Sequence, residues 1–145
     1  MGDRYLFRGK RTDNGEWITG YLLVKKKDFY ICEKPYECMD EYSSLNGQSY
    51  GFGGFKFVDP STICQCTGLK DTDGKLIWEN DIVAYWDTYS TESGYVEADC
   101  IGKVVWDAET ISFQVTNRLS AESYEVLDEC SVIGNKFDNP ELLEK

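Results

Sequence analysis

Apolar and polar residues alternate along short stretches of this chain, and a period of two is typical of β-strands. The first stretch covers residues 5–11 and the second covers residues 16–24. Residues 14–15 between them are Asn-Gly, a pair that tolerates the positive φ values of a type I′ hairpin turn. A charged turn over residues 25–28 precedes a third apolar stretch at residues 29–32. The pattern therefore predicts three antiparallel strands at the start of the chain.

The second half of the chain predicts six more strands, some of them separated by tight turns. These strands cover residues 61–69, 76–78, 82–86, 101–107, 111–116 and 131–134. The turn over residues 70–75 places Gly74 at a left-handed position. In the turn over residues 79–81, the side chain of Asp81 is expected to cap the backbone.

The fold predicted from this pattern is mainly β. A polar turn, an apolar strand, a long polar stretch and a Gly-initiated strand are typical of SH3-like small barrels. We expect one domain over residues 1–145, an SH3-like barrel-type β domain with long loop insertions. Asn139 followed by Pro140 predicts an N-cap and a short C-terminal helix over residues 140–144. The predicted interior consists of Ile77, Ile82, Tyr85, Val104 and Val115.

Two segments lack a strand pattern, and we predict variable loops at residues 34–60 and 87–100. The first is rich in Gly, Ser and Tyr. A long loop in a small domain is either functional or mobile. As a contact surface, it would present rigid aromatic rings on an adaptable backbone. The predicted partner surface consists of Tyr42, Tyr50, Phe52 and Phe55.

The net charge of −11 is unevenly placed along the chain. Residues 1–34 hold eight Lys/Arg and five Asp/Glu, a net charge of +3, so the remaining residues carry −14. An acidic excess repels phosphate backbones and makes a nucleic-acid partner unfavourable. It suits a basic protein partner, or serves solubility alone.

The location predicted from the sequence is the cytoplasm. No run approaches the roughly 20 apolar residues of a membrane helix. The first residues carry too many Arg and Lys for a signal peptide, so we expect neither membrane insertion nor secretion. Six cysteines without a secretory signal predict reduced thiols rather than a disulfide framework.

The chemistry of common enzymes has no clear counterpart in this chain. Histidine is absent, which removes the usual general base and every imidazole metal ligand. No phosphate-binding loop is present, and the acidic residues show no spacing that selects an acid/base pair. We therefore predict no catalytic residues and no cofactor.

A metal site is also not predicted, although two thiols share one face of a strand. Cys64 and Cys66 are two residues apart, and side chains alternate between the faces of a strand. Zinc sites usually use cysteine pairs that wrap a turn, and this spacing is poor for that purpose. Ordinary free thiols are the favoured interpretation. The four Trp residues lie on or beside predicted strands, where packing is favoured over an exposed interaction patch.

One block of the sequence resembles the signature of the YopX family of phage and prophage proteins. The matching residues are Gln65, Thr67, Gly68, Leu69, Asp71, Gly74, Glu79, Asp81, Ile82 and Val83. Residues 4–10, 132–135 and 138–143 resemble the two ends of that family. Asn80 stands where the family usually has Gly, which Asn can replace because it tolerates the left-handed region. The resemblance implies a phage or prophage origin, a mainly β fold and no known activity, and assigns these residues a structural role.

Three functional hypotheses follow. The favoured one is a non-enzymatic accessory module that binds a protein partner or assembles with itself. The alternative is a nucleic-acid-related role, either binding through a basic N-terminal face or acidic mimicry of nucleic acid. That face would need Arg4, Arg8, Lys10, Arg11 and residues 25–27 to converge. The third, an enzyme that uses carboxylates alone, is the least favoured.

Overall fold

The computed structural model describes residues 5–33, 55–116 and 129–144. These residues form ten β-strands and two short 3₁₀ turns. The strands are β1 (Phe7–Lys10), β2 (Trp17–Lys25), β3 (Asp28–Cys32), β4 (Lys56–Phe57), β5 (Cys64–Lys70), β6 (Leu76–Trp78), β7 (Asp81–Thr91), β8 (Gly94–Asp107), β9 (Ser112–Val115) and β10 (Ser131–Asn135). The 3₁₀ turns are Pro60–Thr62 and Pro140–Leu143. The mainly β prediction is confirmed.

The chain forms two compact units, Met1–Gln65 and Cys66–Lys145. In the first unit the antiparallel strands follow the order β4-β3-β2-β1, and β1 also pairs with the beginning of β5. Alternating residues of these strands face a small core. The core consists of Ile18, Ile31 and Val58, packed against Phe7, Leu22, Phe29 and Ile63. Burying one such aliphatic side chain stabilises the unit by about 1.5–3 kcal/mol.

The predicted β1–β2 hairpin is confirmed, but its predicted turn type is wrong. Gly15 has a φ of 73°, whereas Asn14 is not among the residues with positive φ. The amide of Gly15 donates to the carbonyl of Arg11 at 2.9 Å, and the amide of Arg11 donates to the carbonyl of Glu16 at 2.9 Å. The turn therefore needs one left-handed residue, where a type I′ turn needs two.

The second unit contains the β5–β6 hairpin and a four-stranded antiparallel sheet in the order β10-β7-β8-β9. Its core consists of Ile77, Val83, Tyr85, Val104, Val115 and Cys130. The five predicted interior residues are all buried, and Ile82 is fully inaccessible to solvent. The predicted interior is therefore confirmed.

The prediction of a loop over residues 87–100 is wrong. These residues continue β7 and open β8, which pair without interruption from Ile82 opposite Lys103 to Thr91 opposite Gly94. A short turn joins them, in which the hydroxyl of Thr91 donates to the carbonyl of Gly94 at 2.9 Å. The segment looked like a loop because polar residues occupy most of one face of both strands.

Three smaller predictions also need correction. The 34–60 loop contains β4 near its end, while residues 34–54 lie outside the described part, as does the uncertain turn near residues 120–127. The strand predicted from residue 61 begins at Cys64, after the turn at Pro60–Thr62. Within the described residues no sheet closes on itself, so the SH3-like barrel is not confirmed.

The predicted C-terminal helix is a single 3₁₀ turn, Pro140–Leu143. Asn139 precedes it, but its side chain makes no capping hydrogen bond to that turn. The Oδ1 of Asn139 instead accepts a hydrogen bond from the amide of Asn135 at 3.2 Å. Asn139 therefore stabilises the end of β10 rather than the beginning of a helix.

Candidate functional site

The β7–β8 hairpin exposes two large aromatic side chains on one face, Trp86 and Tyr95. Directly opposite residues of an antiparallel pair point to the same face, and every second residue of each strand joins them. Trp86 is opposite Asp99, and Thr88 is opposite Glu97. Tyr95 follows on the same face of β8. We call Trp86, Thr88, Tyr95, Glu97 and Asp99 the ribbon face.

The residues of the ribbon face are open to solvent. Trp86 is 64% exposed and Tyr95 is 82% exposed. Asp99, Glu97 and Thr88 are also exposed. The opposite face of the same hairpin carries Tyr85, which is buried in the core. One face of the hairpin therefore packs into the core, and the other exposes aromatic rings beside carboxylates.

The two carboxylates of the ribbon face lie on β8. Within the described part of the chain, neither Glu97 nor Asp99 accepts a hydrogen bond through its side chain or forms an ion pair. They are two residues apart on one strand, about 6.8 Å at a rise of roughly 3.4 Å per residue. Two like charges at this spacing repel each other unless a cation lies between them.

A second cluster lies at the turn between β5 and β6, around the buried side chain of Asp71. Its Oδ1 accepts hydrogen bonds from the amides of Asp73 and Lys75, both at 2.9 Å, and its Oδ2 accepts one from the amide of Val132 at 2.9 Å. Burial alone would raise the pKa of Asp71, but the three amides together hold it below its ordinary value. Asp71 therefore ties the turn to β10.

The strand leading into that turn is interrupted. The register of β5 and β6 shifts between Cys66 and Lys70, and Gly68 has a φ of 82°. The hydroxyl of Thr67 donates to the carbonyl of Ile77 at 2.8 Å and accepts from the amide of Leu69 at 3.1 Å. A side chain thus replaces the hydrogen bonds that the bulge removes.

The turn between β6 and β7 is held in the same way. Asn80 has a φ of 71°, and its amide donates to the carbonyl of Val104 at 2.8 Å. The Oδ2 of Asp81 accepts from the amide of Trp78 at 2.8 Å, as predicted for a capping side chain. Asp81 is 2% exposed, so this carboxylate faces the protein interior rather than a ligand.

Comparison with known protein families shows to which family this chain belongs. The family model described as YopX protein matches residues 6–144 of this chain. The chain belongs to the YopX family. Comparison with curated proteins gives no match.

The signature residues of this YopX-family protein lie mostly at the two turns described above. Ile82 and Val83 leave the second turn and are fully buried, and Gly74 has the left-handed φ of 81° that the first turn requires. Gln65 pairs with Phe7 in the first unit. Glu79 is half-buried and Leu69 is exposed. The signature residues at the turns make their contacts to backbone atoms, and such contacts are typical of residues with a structural role.

The predicted partner surface of the YopX-family chain falls largely outside the described residues. Tyr42, Tyr50 and Phe52 lie there, and Phe55 is half-buried just before β4. Sequence reasoning missed the ribbon face because it interpreted residues 87–100 as a loop. No apolar–polar alternation marks this stretch, because Tyr85 and Trp86 are both aromatic and Asp87 and Thr88 are both polar.

The cysteines divide into two groups. Cys32 is disulfide-bonded, which corrects the prediction that all six thiols are reduced. The other described cysteines form no disulfide bond: Cys64, Cys66, Cys100 and Cys130. Burial, followed by the charges of Asp87 and Asp99, raises the pKa of the Cys100 thiol. Within the described ranges, no three His, Cys, Asp or Glu residues come together to hold a metal ion.

Two of the four Trp residues depart from the packing prediction. Trp78 is buried as expected and Trp17 is half-buried, but Trp86 and Trp106 are both exposed. Trp106 contacts Phe113 edge-to-face, with 5.1 Å between ring centroids. Trp86 is the one of these two that stands beside unpaired carboxylates.

The basic residues of the first unit are partly engaged with neighbours. Arg8 and Lys10 lie over the ring of Trp17, at 4.7 Å and 5.3 Å from its centroid. Arg11 forms an ion pair with Asp13 at 2.6 Å. Arg4 lies outside the described residues. Among the helical segments of the described chain, none is long and apolar enough to cross a membrane.

Proposed function

We propose that this protein is a phage- or prophage-derived accessory protein that acts without catalysis, by binding a protein partner or its own copies. Its site of action would be the cytoplasm of a bacterial host. The observation that carries the proposal is the ribbon face, where Trp86 and Tyr95 are largely exposed on an antiparallel hairpin. Exposed aromatic side chains supply a large share of the binding energy at protein interfaces.

The proposal that the protein acts without catalysis is supported by the hydrogen bonds of its buried carboxylates. Asp71 and Asp81 are the buried carboxylates of the signature turns, and both accept hydrogen bonds from backbone amides. A general acid or base must instead reach a substrate proton. The lack of histidine in the full sequence supports the same proposal.

The proposal is tested by capture and reconstitution. The immobilised protein is incubated with bacterial lysate, and each captured protein is identified, purified and titrated against the free chain. We expect Trp86→Ala with Tyr95→Ala to weaken that binding at least about tenfold, a typical loss at an interface hot spot. Val24→Ala, an exposed apolar residue of the first unit, serves as the matched control.

Self-assembly is measured in parallel by light scattering over a range of protein concentrations. A mass that rises with concentration and falls in the Trp86→Ala, Tyr95→Ala variant supports assembly through the ribbon face. A strict monomer that captures no protein at micromolar concentration would overturn the proposal.

The nucleic-acid alternative is supported by Arg8 and Lys10 beside the ring of Trp17. Cations next to an aromatic ring are typical of surfaces that bind single strands. The net charge of −11 opposes such binding over the whole molecule. We therefore place this role second.

A further inference from the structure

The ribbon face combines two kinds of group that recognise the same ligand. Asp99 lies directly opposite Trp86, and Glu97 lies between Asp99 and Tyr95 on the same face of β8. Carboxylates attract cations directly, and the face of an aromatic ring attracts them through its quadrupole. A positively charged side chain placed on this face would meet both kinds of group.

No cation of the chain satisfies this arrangement in the described residues. The nearest Lys or Arg on the same face of β8 is Lys103, four residues from Asp99. That spacing is about 14 Å along a strand, beyond the reach of an ion pair. Neither carboxylate has an ion pair or a hydrogen bond to its side chain, as described above.

The spacing of the two carboxylates matches the spacing of alternate side chains on an extended strand. Alternate side chains of an extended strand point the same way and are about 6.8 Å apart. Glu97 and Asp99 have the same spacing because they are alternate residues of β8. An extended segment with basic residues at every second position would therefore place one cation on each carboxylate.

We propose that the ribbon face binds an extended, arginine-rich segment of a partner protein. One guanidinium group pairs with Asp99 and stacks on the ring of Trp86, and the next pairs with Glu97 beside Tyr95. Arginine is favoured over lysine because its planar group both binds a carboxylate through two donors and stacks on an aromatic ring. This inference rests on the proposed function and names the chemistry of its partner.

The negative charge of the ribbon face favours a basic protein segment over the other ligands that could bind there. Nucleic acid and anionic membrane surfaces would meet two carboxylates with no compensating cation. A second copy of the chain also carries −11, so two copies repel each other over long range. A basic protein segment is attracted by the same field and is steered toward the acidic unit.

The test uses a capped, fluorescently labelled peptide with Arg at alternate positions and Thr between them, titrated into the full chain and followed by anisotropy. Removing both ribbon carboxylates with Glu97→Gln and Asp99→Asn is expected to weaken binding by about tenfold or more. Trp86→Ala is expected to weaken it by about three- to tenfold, and Trp86→Phe by less. A Lys version of the peptide should bind more weakly than the Arg version.

The matched control removes the same charge elsewhere. Glu141 and Glu144 are exposed near the C-terminus, and Glu141→Gln with Glu144→Gln also lowers the negative charge by two. We expect this control to bind the peptide within about twofold of wild type, because only the long-range field changes. Thermal unfolding of each variant checks that the fold is retained.

Two results would overturn the inference. Equal losses in the ribbon and control variants would show general attraction to an acidic protein, and no loss in either would show binding at another surface. If the captured partner needs Trp86 but tolerates Glu97→Gln with Asp99→Asn, the inference fails and the proposed function stands. If the peptide binds at the ribbon face but the chain is monomeric and captures no protein, the proposed function fails and the cation-binding face stands.

Discussion

Single residues at the signature turns act by satisfying backbone groups. Asp71 accepts three amide hydrogen bonds from two separate segments, residues 73–75 and Val132. Asn80 occupies the left-handed region with a φ of 71°. At this scale the described contacts of these residues fix backbone conformation and satisfy backbone hydrogen bonds.

Asp71→Ala should be among the more destabilising single changes in the second unit. It leaves three amides without their acceptor, and we expect the free energy of unfolding to fall by about 3 kcal/mol. Urea denaturation followed by tryptophan fluorescence measures the change. Asp73→Ala, a change at an exposed residue of the same turn, is the control and should cost well under half as much.

The contribution of Asp71 should also depend on pH. Its folded pKa lies below the value of about 3.9 expected in the unfolded chain. The ionised form therefore stabilises the fold above that pH, and the stabilisation is lost as the pH falls below about 4. The stability difference between wild type and Asp71→Asn should be constant near neutral pH and shrink in acid. A difference that grew in acid would mean that the folded pKa is raised.

Asn80 allows a test of the backbone conformation at the second turn. Asn80→Gly should be the milder of two changes, because glycine adopts a positive φ readily. Asn80→Val should cost about 1–2 kcal/mol, since a β-branched residue is strained in this region. Thermal unfolding of the two variants side by side measures this difference in stability. Equal melting temperatures would contradict the positive φ of Asn80.

Elements of secondary structure differed in how well the sequence predicted them. Strands with an apolar face, such as β2 and β7 as far as Trp86, were predicted because their buried residues alternate. Residues 87–100 were missed because Thr88, Glu97 and Asp99 form a polar face, and polar residues over a long stretch indicate a loop. These residues form strands through backbone pairing of β7 with β8, and such pairing produces no hydrophobic pattern in the sequence.

Gly102 shows how closely two elements approach in the second unit. A Cβ atom at this position would lie 2.2 Å from the carbonyl oxygen of Thr116 and 2.7 Å from the side chain of Val115. Gly102→Ala should therefore push the end of β9 away from β8 and cost about 1–3 kcal/mol, as overpacking does. Gly74→Ala is the comparison, because no atom lies within 4 Å there and only its φ of 81° opposes the change. Wild-type stability for Gly102→Ala would contradict the close approach.

At the scale of the whole molecule, the uneven charge favours a cationic partner in the proposed function. Residues 1–34 carry +3 and the rest carries −14, so a cationic partner is attracted to most of the chain. The sequence alone predicted the buried core and the signature turns. It could not predict the ribbon face, because that face depends on which residues lie opposite each other across β7 and β8.

Nucleic-acid binding should be weak for the same reason. We expect no measurable binding of a 20-nucleotide single strand at about 0.15 M salt, where phosphate contacts are already screened. Fluorescence anisotropy at several salt concentrations measures it. Tight binding that weakens steeply with salt and is abolished by Lys26→Glu with Lys27→Glu would establish the nucleic-acid role instead.

The ribbon face is proposed to bind a partner, whereas the signature turns hold the fold. Amide hydrogen exchange of the full chain, with and without its captured and purified partner, tests this division residue by residue. We predict that the partner slows exchange across residues 86–99 and leaves residues 71–75 and 79–81 unchanged. Slower exchange confined to the signature turns or to the first unit, with residues 86–99 unaffected, would contradict it.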